Sequence, residues 1–212
     1  MKNATRKERQ HPLIIRVTHW LNAVALAIMV TSGLRIYNAS PIWDFRIPAD
    51  LTLGGWLGGA RQWHFFAMWI LAINGVVYVV YNIATRHGRR TTLFNTGDIS
   101  GVLPMIKYYL RIKKEHPPQA KYNPLQKLAY TGVIGLGALA VLTGFAVYKP
   151  TQLAWLTTLL GGFQAARYWH FWIVWLFVGF TISHVILVFA VDPASLRAML
   201  TGWYRGRFPS HD

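Results

Sequence analysis

Four histidines of this 212-residue chain, His19, His64, His170 and His184, stand inside long apolar stretches. An imidazole can bind a metal, carry a proton or hold a hydrogen bond. The chain has no cysteine, which removes disulfides, thiol chemistry, Cys-ligated zinc, iron–sulfur clusters and covalently attached haem. Any metal or redox chemistry therefore rests on histidine, of which there are eight. A single histidine in a membrane helix can serve as a hydrogen-bonding helix contact. Ionisable groups at that depth are costly. Four of them in three of the apolar segments, with no carboxylate there to pair with, point instead to a functional role.

The elements that must position them follow from composition. Hydrophobic residues make up 53% of the chain and charged residues only 14%, yet the net charge is +15. So apolar a chain is not disordered, and so few charges of nearly one sign suit a membrane protein with a basic side. Spanning a bilayer core takes about 20 apolar residues. Four stretches qualify, at about 17–37, 62–84, 126–148 and 168–191. Arg35 and Lys127 fall at helix ends, where long cations snorkel. The first stretch is too long for a cleaved signal peptide and has no small-x-small site after it.

Lys and Arg placement sets the orientation. Seventeen lie in the N-terminal tail, the connection 85–125, the start of the third span and the C-terminal tail, against five (Arg35, Arg46, Arg61, Lys149, Arg167) on the other side. Both termini are expected in the cytoplasm. Because the basic residues flank spans, they do not signal nucleic-acid binding. The cytoplasmic connection reads after Pro104 as a short amphipathic helix, about 104–114, on the inner surface. His116, beside the Pro117-Pro118 breaker, reads as a solvated loop residue.

The chain repeats itself. Leu57-Gly58-Gly59 leads to Arg61 and Trp63-His64-Phe65; Leu160-Gly161-Gly162 leads to Arg167 and Trp169-His170-Phe171. More loosely, His11-Pro12-Leu13 leads to Ser32-Gly33 and Tyr37, as Asn123-Pro124-Leu125 leads to Thr143-Gly144 and Tyr148. The expected fold is all-α: one domain over 1–212, an integral membrane four-helix bundle built from a duplicated helical hairpin.

Depth then sorts the histidines. His64 and His170 open their spans at the outer surface, and His19 lies near the inner end of the first. His184 is 14 residues beyond His170, about 21 Å deeper and on nearly the same helix face. Two pairs result, His64 with His170 outside and His19 with His184 inside. Two facing imidazoles without thiolate or carboxylate suit bis-histidine haem iron, whereas zinc wants three or four converging ligands. In the repeat, His184 aligns with Tyr78 and His19 with Tyr130 or Thr131, so one inner haem is expected and two haems b in all. The span glycines Gly33, Gly75, Gly132, Gly135, Gly137, Gly144 and Gly179 suit either a flat macrocycle or close helix packing. Arg61 and Arg167, each three residues before an outer histidine, suit either haem propionates or interfacial anchoring.

With these residues in place, the chain resembles the dihaem cytochrome b subunits of bacterial membrane oxidoreductases: the formate dehydrogenase gamma subunit, the nickel–iron hydrogenase b-type subunit, the thiosulfate reductase cytochrome b group and the bacterial cytochrome b561-like proteins. The resemblance covers nearly the whole chain. It rests on Thr18-His19-Trp20, His64, the run from Lys121 through Tyr122, Asn123, Pro124, Leu125 and Gln126 to Lys127, Thr143-Gly144 with Lys149-Pro150, and His170 with His184. It implies an electron wire between a catalytic partner and the quinone pool of the bacterial cytoplasmic membrane. It also places quinone by the inner haem, with Asn123 and Gln126 as its contacts; helix capping is the other role that Asn123 before Pro124 suits.

The expected function is thus a membrane-anchor electron-transfer subunit with two non-covalent haems b and an oxidoreductase outside, a molybdopterin enzyme ahead of a hydrogenase. Whether the chain is itself an enzyme stays open. The alternatives are a stand-alone quinone oxidoreductase of the cytochrome b561 type, as a homodimer acting on a small diffusible substrate, and a redox-inert transporter.

Overall fold

A computed structural model describes residues 6–85, 93–115, 117, 123–190 and 193–206. In order these form β1 (Arg6–Arg9), α1 (Leu13–Ala39), α2 (Leu57–Ala84), α3 (Ile99–Tyr109), α4 (Pro124–Tyr148), α5 (Ala154–Leu159), α6 (Phe163–Ala190), α7 (Pro193–Thr201) and β2 (Trp203–Gly206), with 3-10 turns at Ala49–Leu51 and Thr96–Asp98. Helices α1, α2, α4 and α6 are long and apolar enough to cross a membrane. His116, Lys121 and Tyr122 lie outside the described residues.

The chain divides into two compact units, Met1–Tyr78 with Thr181–Asp212, and Val79–Phe180. In the first, the buried positions of α1 include Thr18, Ala25 and Ser32, and those of α2 are Ala60, Ala67 and Asn74, each a seven-residue series. A period of seven keeps one narrow seam turned to a neighbouring helix. Small and polar residues fill it, while Val17, Leu21, Val24, Phe66, Trp69 and Ile73 face outward. This inverts the pattern of a soluble helix and suits lipid, where small residues let helix backbones approach. Asn74, 6% exposed, donates from Nδ2 to Thr18 O and Asn22 Oδ1, both at 2.7 Å. After α1, Asn38 clamps the Ile47 backbone through both amide groups at 2.8 Å. Gly54 and Gly55 then turn the chain into α2 with φ of +107° and +67°.

The first unit also holds β1 and β2, paired antiparallel with Arg9 opposite Trp203. An all-α reading does not anticipate this ladder. Beside it, the carbonyls at the end of α7 are taken by Arg16, whose Nε donates to Met199 O at 3.2 Å and whose Nη2 donates to Leu200 O.

In the second unit, α4 opens with Pro124 behind a capping box of Asn123 and Gln126, which meets two of the amide N–H groups that a helix start leaves unpaired. The short surface helix runs Ile99–Tyr109 rather than about 104–114. A second capping box, Asn95 with Asp98, starts the turn upstream and carries Pro104 inside the helix. At the other end Arg111 takes φ +59°, and Ile112 N bonds Lys107 O at 2.9 Å. That six-to-one closure ends a helix. The left-handed Gly161-Gly162 pair (φ +87° and +93°) precedes α6. Its conformational counterpart is Gly54-Gly55, since Gly58 and Gly59 lie within α2.

Candidate haem-binding histidines

His64 is the eighth residue of α2, and His170 the eighth of α6. In the first unit His64 Nδ1 lies 3.1 Å from both Met29 O and Ser32 Oγ. Met29 O can only accept, so the network places a proton on Nδ1 and the lone pair on Nε2. Ser32 Oγ gives its own proton to Ile28 O, at 2.5 Å, and so accepts from His64. The second unit repeats the hydroxyl contact. His170 Nδ1 lies 3.0 Å from Thr143 Oγ1, which donates to Leu139 O at 2.7 Å. Ser32 and Thr143 are each the twentieth residue of their helix.

The residue after each hydroxyl is glycine. A Cβ at Gly33 would lie 3.3 Å from His64 Cε1, and one at Gly144 would lie 3.3 Å from His170 Cε1. Each ring therefore rests on bare backbone. At Gly75, Gly132, Gly135, Gly137 and Gly179 a Cβ would meet nothing within 4 Å. Of the seven span glycines, two serve histidines.

The two histidines expected to form the inner pair are brought together within the first unit. His19 of α1 and His184 of α6 have ring centroids 6.1 Å apart, with planes at 63°. A metal–imidazole bond is about 2 Å; two of them in line through one metal put ring centroids roughly 6 Å apart. The pair thus fits a shared iron. Trp20 packs edge-on against His19 at 5.3 Å. Among the described residues no cluster of three or more His, Cys, Asp or Glu forms, and a two-imidazole site is the donor set that haem iron takes.

Arg61 lies over the Phe65 ring at 5.8 Å. Arg167 lies over Phe163 at 5.9 Å and donates to Gln164 Oε1 at 3.1 Å. Both guanidinium groups rest on rings of their own helix. Asn123 is 3% exposed. Its Oδ1 accepts from Gln126 N at 2.8 Å, Gln126 Oε1 accepts from Asn123 N at 3.0 Å, and Asn123 Nδ2 donates to Tyr109 Oη at 3.2 Å. Capping is what these amides do in the structure.

Residues 10–202 match the family described as Prokaryotic cytochrome b561. The chain belongs to this family. A protein of Azospira oryzae named as a protein-methionine-sulfoxide reductase subunit, YedZ1, is 44% identical over 91% of the chain and 96% of its own length. A Cupriavidus necator protein named as a Ni/Fe-hydrogenase B-type cytochrome subunit is 27% identical over 84% of the chain and 77% of its own length. An Escherichia coli protein named as a Ni/Fe-hydrogenase 1 B-type cytochrome subunit is 22% identical over 92% and 89%. This b561-family chain is a membrane electron-transfer cytochrome b.

For a cytochrome b561 chain, sequence reasoning overlooked the partners of its histidines. Ser32-Gly33 and Thr143-Gly144 stood out only as repeat markers, and their shared Ser/Thr-Gly chemistry was the available signal. Lys127 does not snorkel: it is 8% exposed and paired with Asp98 at 2.9 Å. Nothing in the spacing of Asn74 or Arg16 announced their contacts.

Proposed function

We propose that the chain is the membrane-anchor subunit of an electron-transfer complex, carrying two non-covalent haems b and linking an oxidoreductase on the periplasmic side to the quinone pool. His19 and His184 hold the inner haem; His64 and His170, at equivalent positions of the repeat, hold the outer one. Both termini lie on the cytoplasmic side of the bacterial inner membrane, in keeping with the basic bias of that face. Bound haem supplies reversible one-electron chemistry, while the chain supplies ligation, spacing and a low-dielectric surround.

The observation that carries this reading is the His19–His184 pair, two imidazoles from different helices with centroids 6.1 Å apart. The relative named as a sulfoxide reductase subunit matches over nearly its full length. It favours a periplasmic partner that reduces methionine sulfoxide in proteins. Such a partner consumes two electrons and two protons per sulfoxide, which one quinol provides, so electrons leave the membrane rather than enter it. At the start of α4 the cap uses the Gln126 backbone N–H and Oε1, so its side-chain Nε2–H is the donor proposed for a quinone carbonyl. Arg61 and Arg167, one turn outward of the outer histidines, are placed to turn from their aromatic rings to haem propionates.

Co-expression of the chain with its neighbouring reading frame, followed by purification, tests the assignment. Two b-type haems per chain, reducible by quinol and reoxidised by methionine sulfoxide through the co-purified subunit, are expected. Molybdenum in that subunit supports the molybdopterin enzyme that sequence reasoning favours, and nickel a hydrogenase. A purified chain without reducible b-type absorption bands overturns the haem reading.

A further inference from the structure

We infer that Ser32 and Thr143 are positioning residues for the outer haem, accepting from Nδ1 of its two histidines (for His64 together with the Met29 carbonyl) and so tuning the reduction potential of the iron. The inference rests on the haem reading above and adds to it two side chains that touch neither iron nor substrate.

Three observations carry it. The contact occurs twice, once in each unit, with the same atoms in the same register: hydroxyl at helix position twenty, histidine at position eight, and Nδ1–Oγ separations of 3.1 and 3.0 Å. Each hydroxyl has given its proton to a carbonyl of its own helix, at 2.5 and 2.7 Å, so each faces the ring as an acceptor. Each is followed by a glycine whose missing Cβ lets the ring settle against the helix. Back-bonding of a helical Ser or Thr to its own helix is common. It accounts for where the hydroxyl proton goes, not for a ring nitrogen meeting the oxygen in both units.

The consequence is chemical. A histidine whose Nδ1–H is held by an acceptor presents Nε2 to a metal in one tautomer and is a stronger base there. A more basic ligand stabilises ferric over ferrous iron and lowers the potential. On the proposed pairing of His64 with His170, Ser32 and Thr143 would bear on one iron through its two histidines, so their effects would fall on one haem and leave the other alone.

The test is redox titration of the purified holoprotein, with low-spin ferric signals followed by electron paramagnetic resonance, for wild type, S32A, T143A, the double variant and the hydroxyl-keeping S32T and T143S. Removing the Thr143 hydroxyl is expected to shift the reduction equilibrium of one haem about tenfold toward ferrous, an upward move of about 59 mV for a one-electron couple. Removing that of Ser32, where His64 keeps the Met29 carbonyl, should move the same haem in the same direction by less. The same haem should respond to both variants and further to the double. S32T and T143S should keep the wild-type potential. Loss of one haem in S32A or T143A, restored in S32T and T143S, also supports the assignment, because the retained inner haem reports an intact fold. Unchanged potentials at full haem content in the double variant overturn it. So does a threonine or serine exchange that behaves like alanine, since the contact would then be one of shape. A wild-type preparation without bis-histidine haem instead defeats the underlying haem reading, so the two failures are distinguishable.

Discussion

Lys127 Nζ lies 2.9 Å from Asp98 Oδ1, with the two side chains 10% and 13% exposed. Asp98 also accepts from Asn95 N through Oδ2 at 3.0 Å, so one carboxylate closes the turn that begins α3 and anchors it to α4. The Lys127 hydrogen bond holds the Asp98 carboxyl below its ordinary range; partial burial opposes this, and the Asn95 N–H and the Lys127 charge reinforce it. A carboxyl with a depressed folded-state pKa contributes its stability above the ordinary value near pH 4 and loses it as pH falls through the depressed one. Amide exchange in α3, taken relative to its intrinsic rate at each pH, should therefore accelerate on acidification below about pH 4. Asp98→Asn should accelerate it already at neutral pH and flatten the acid dependence, because Lys127 is left enclosed without its counter-charge. An unchanged acid profile in this variant would show that the pair does not anchor α3.

The histidine pairs predict a pattern of shared losses. His19→Ala and His184→Ala should remove the same haem, and His64→Ala and His170→Ala the other. Haem content per chain, with the potential of whichever haem survives, reads this directly. The decisive comparison is between pairs: if His19→Ala and His64→Ala leave indistinguishable survivors, the pairing by depth is wrong.

The glycines divide by what lies above them. At Gly33 and Gly144 a methyl would stand 3.3 Å from a histidine ring, which the ring relieves by moving a few tenths of an ångström. A valine there overpacks the contact, at about 1–3 kcal/mol, and should lower the temperature at which the outer haem is lost. Gly75 and Gly132 face open space, where alanine should help the helix by up to about 1 kcal/mol. Thermal release of haem, followed by its absorption, separates the two groups. Equal behaviour would mean that the rings do not rest on the glycine backbone.

Composition made the spans legible, because a bilayer demands length and apolarity that few other settings do, and charge bias with the helix rise paired His19 with His184, whose ring centroids lie 6.1 Å apart. What stayed hidden depends on how helices face each other. Ser32 and Thr143 were visible as a repeat, but a hydroxyl meets a ring only in one rotational register, which spacing within a helix does not state. Lys127 finds Asp98 across 29 residues of chain, and a lone lysine at a helix end reads as a snorkelling cation until that loop is placed. The end of α3 was misplaced because Arg111 adopts the left-handed conformation that usually marks glycine. The β1–β2 ladder joins Arg6–Arg9 to Trp203–Gly206, two four-residue segments with no apolar–polar alternation to betray a strand.

That ladder belongs to a clasp with a consequence for the inner site. Arg16 and Trp20, on either side of His19, donate to the α7 carbonyls of Met199 and Leu200. Gly202 O accepts from Gln10 N at 3.0 Å and from His11 N at 3.4 Å. Helix α7 follows α6, which carries His184, so the clasp ties together the two helices of the inner pair. Gly202 has φ +86°, and a Cβ there would approach Arg16 Nη1 and His11 O to 3.2 Å; alanine is both strained and crowded. Arg16→Ala removes its donors from the Met199 and Leu200 carbonyls, at about 0.5–1.5 kcal/mol per hydrogen bond, with Arg16→Lys an incomplete repair because an ammonium lacks the planar fork. Arg16→Ala and Gly202→Ala should broaden the ferric resonance signal of the inner haem and speed its loss on mild heating, with the outer haem unaffected. If the inner signal keeps its width and thermal midpoint in both variants, the clasp holds the chain termini without positioning His19.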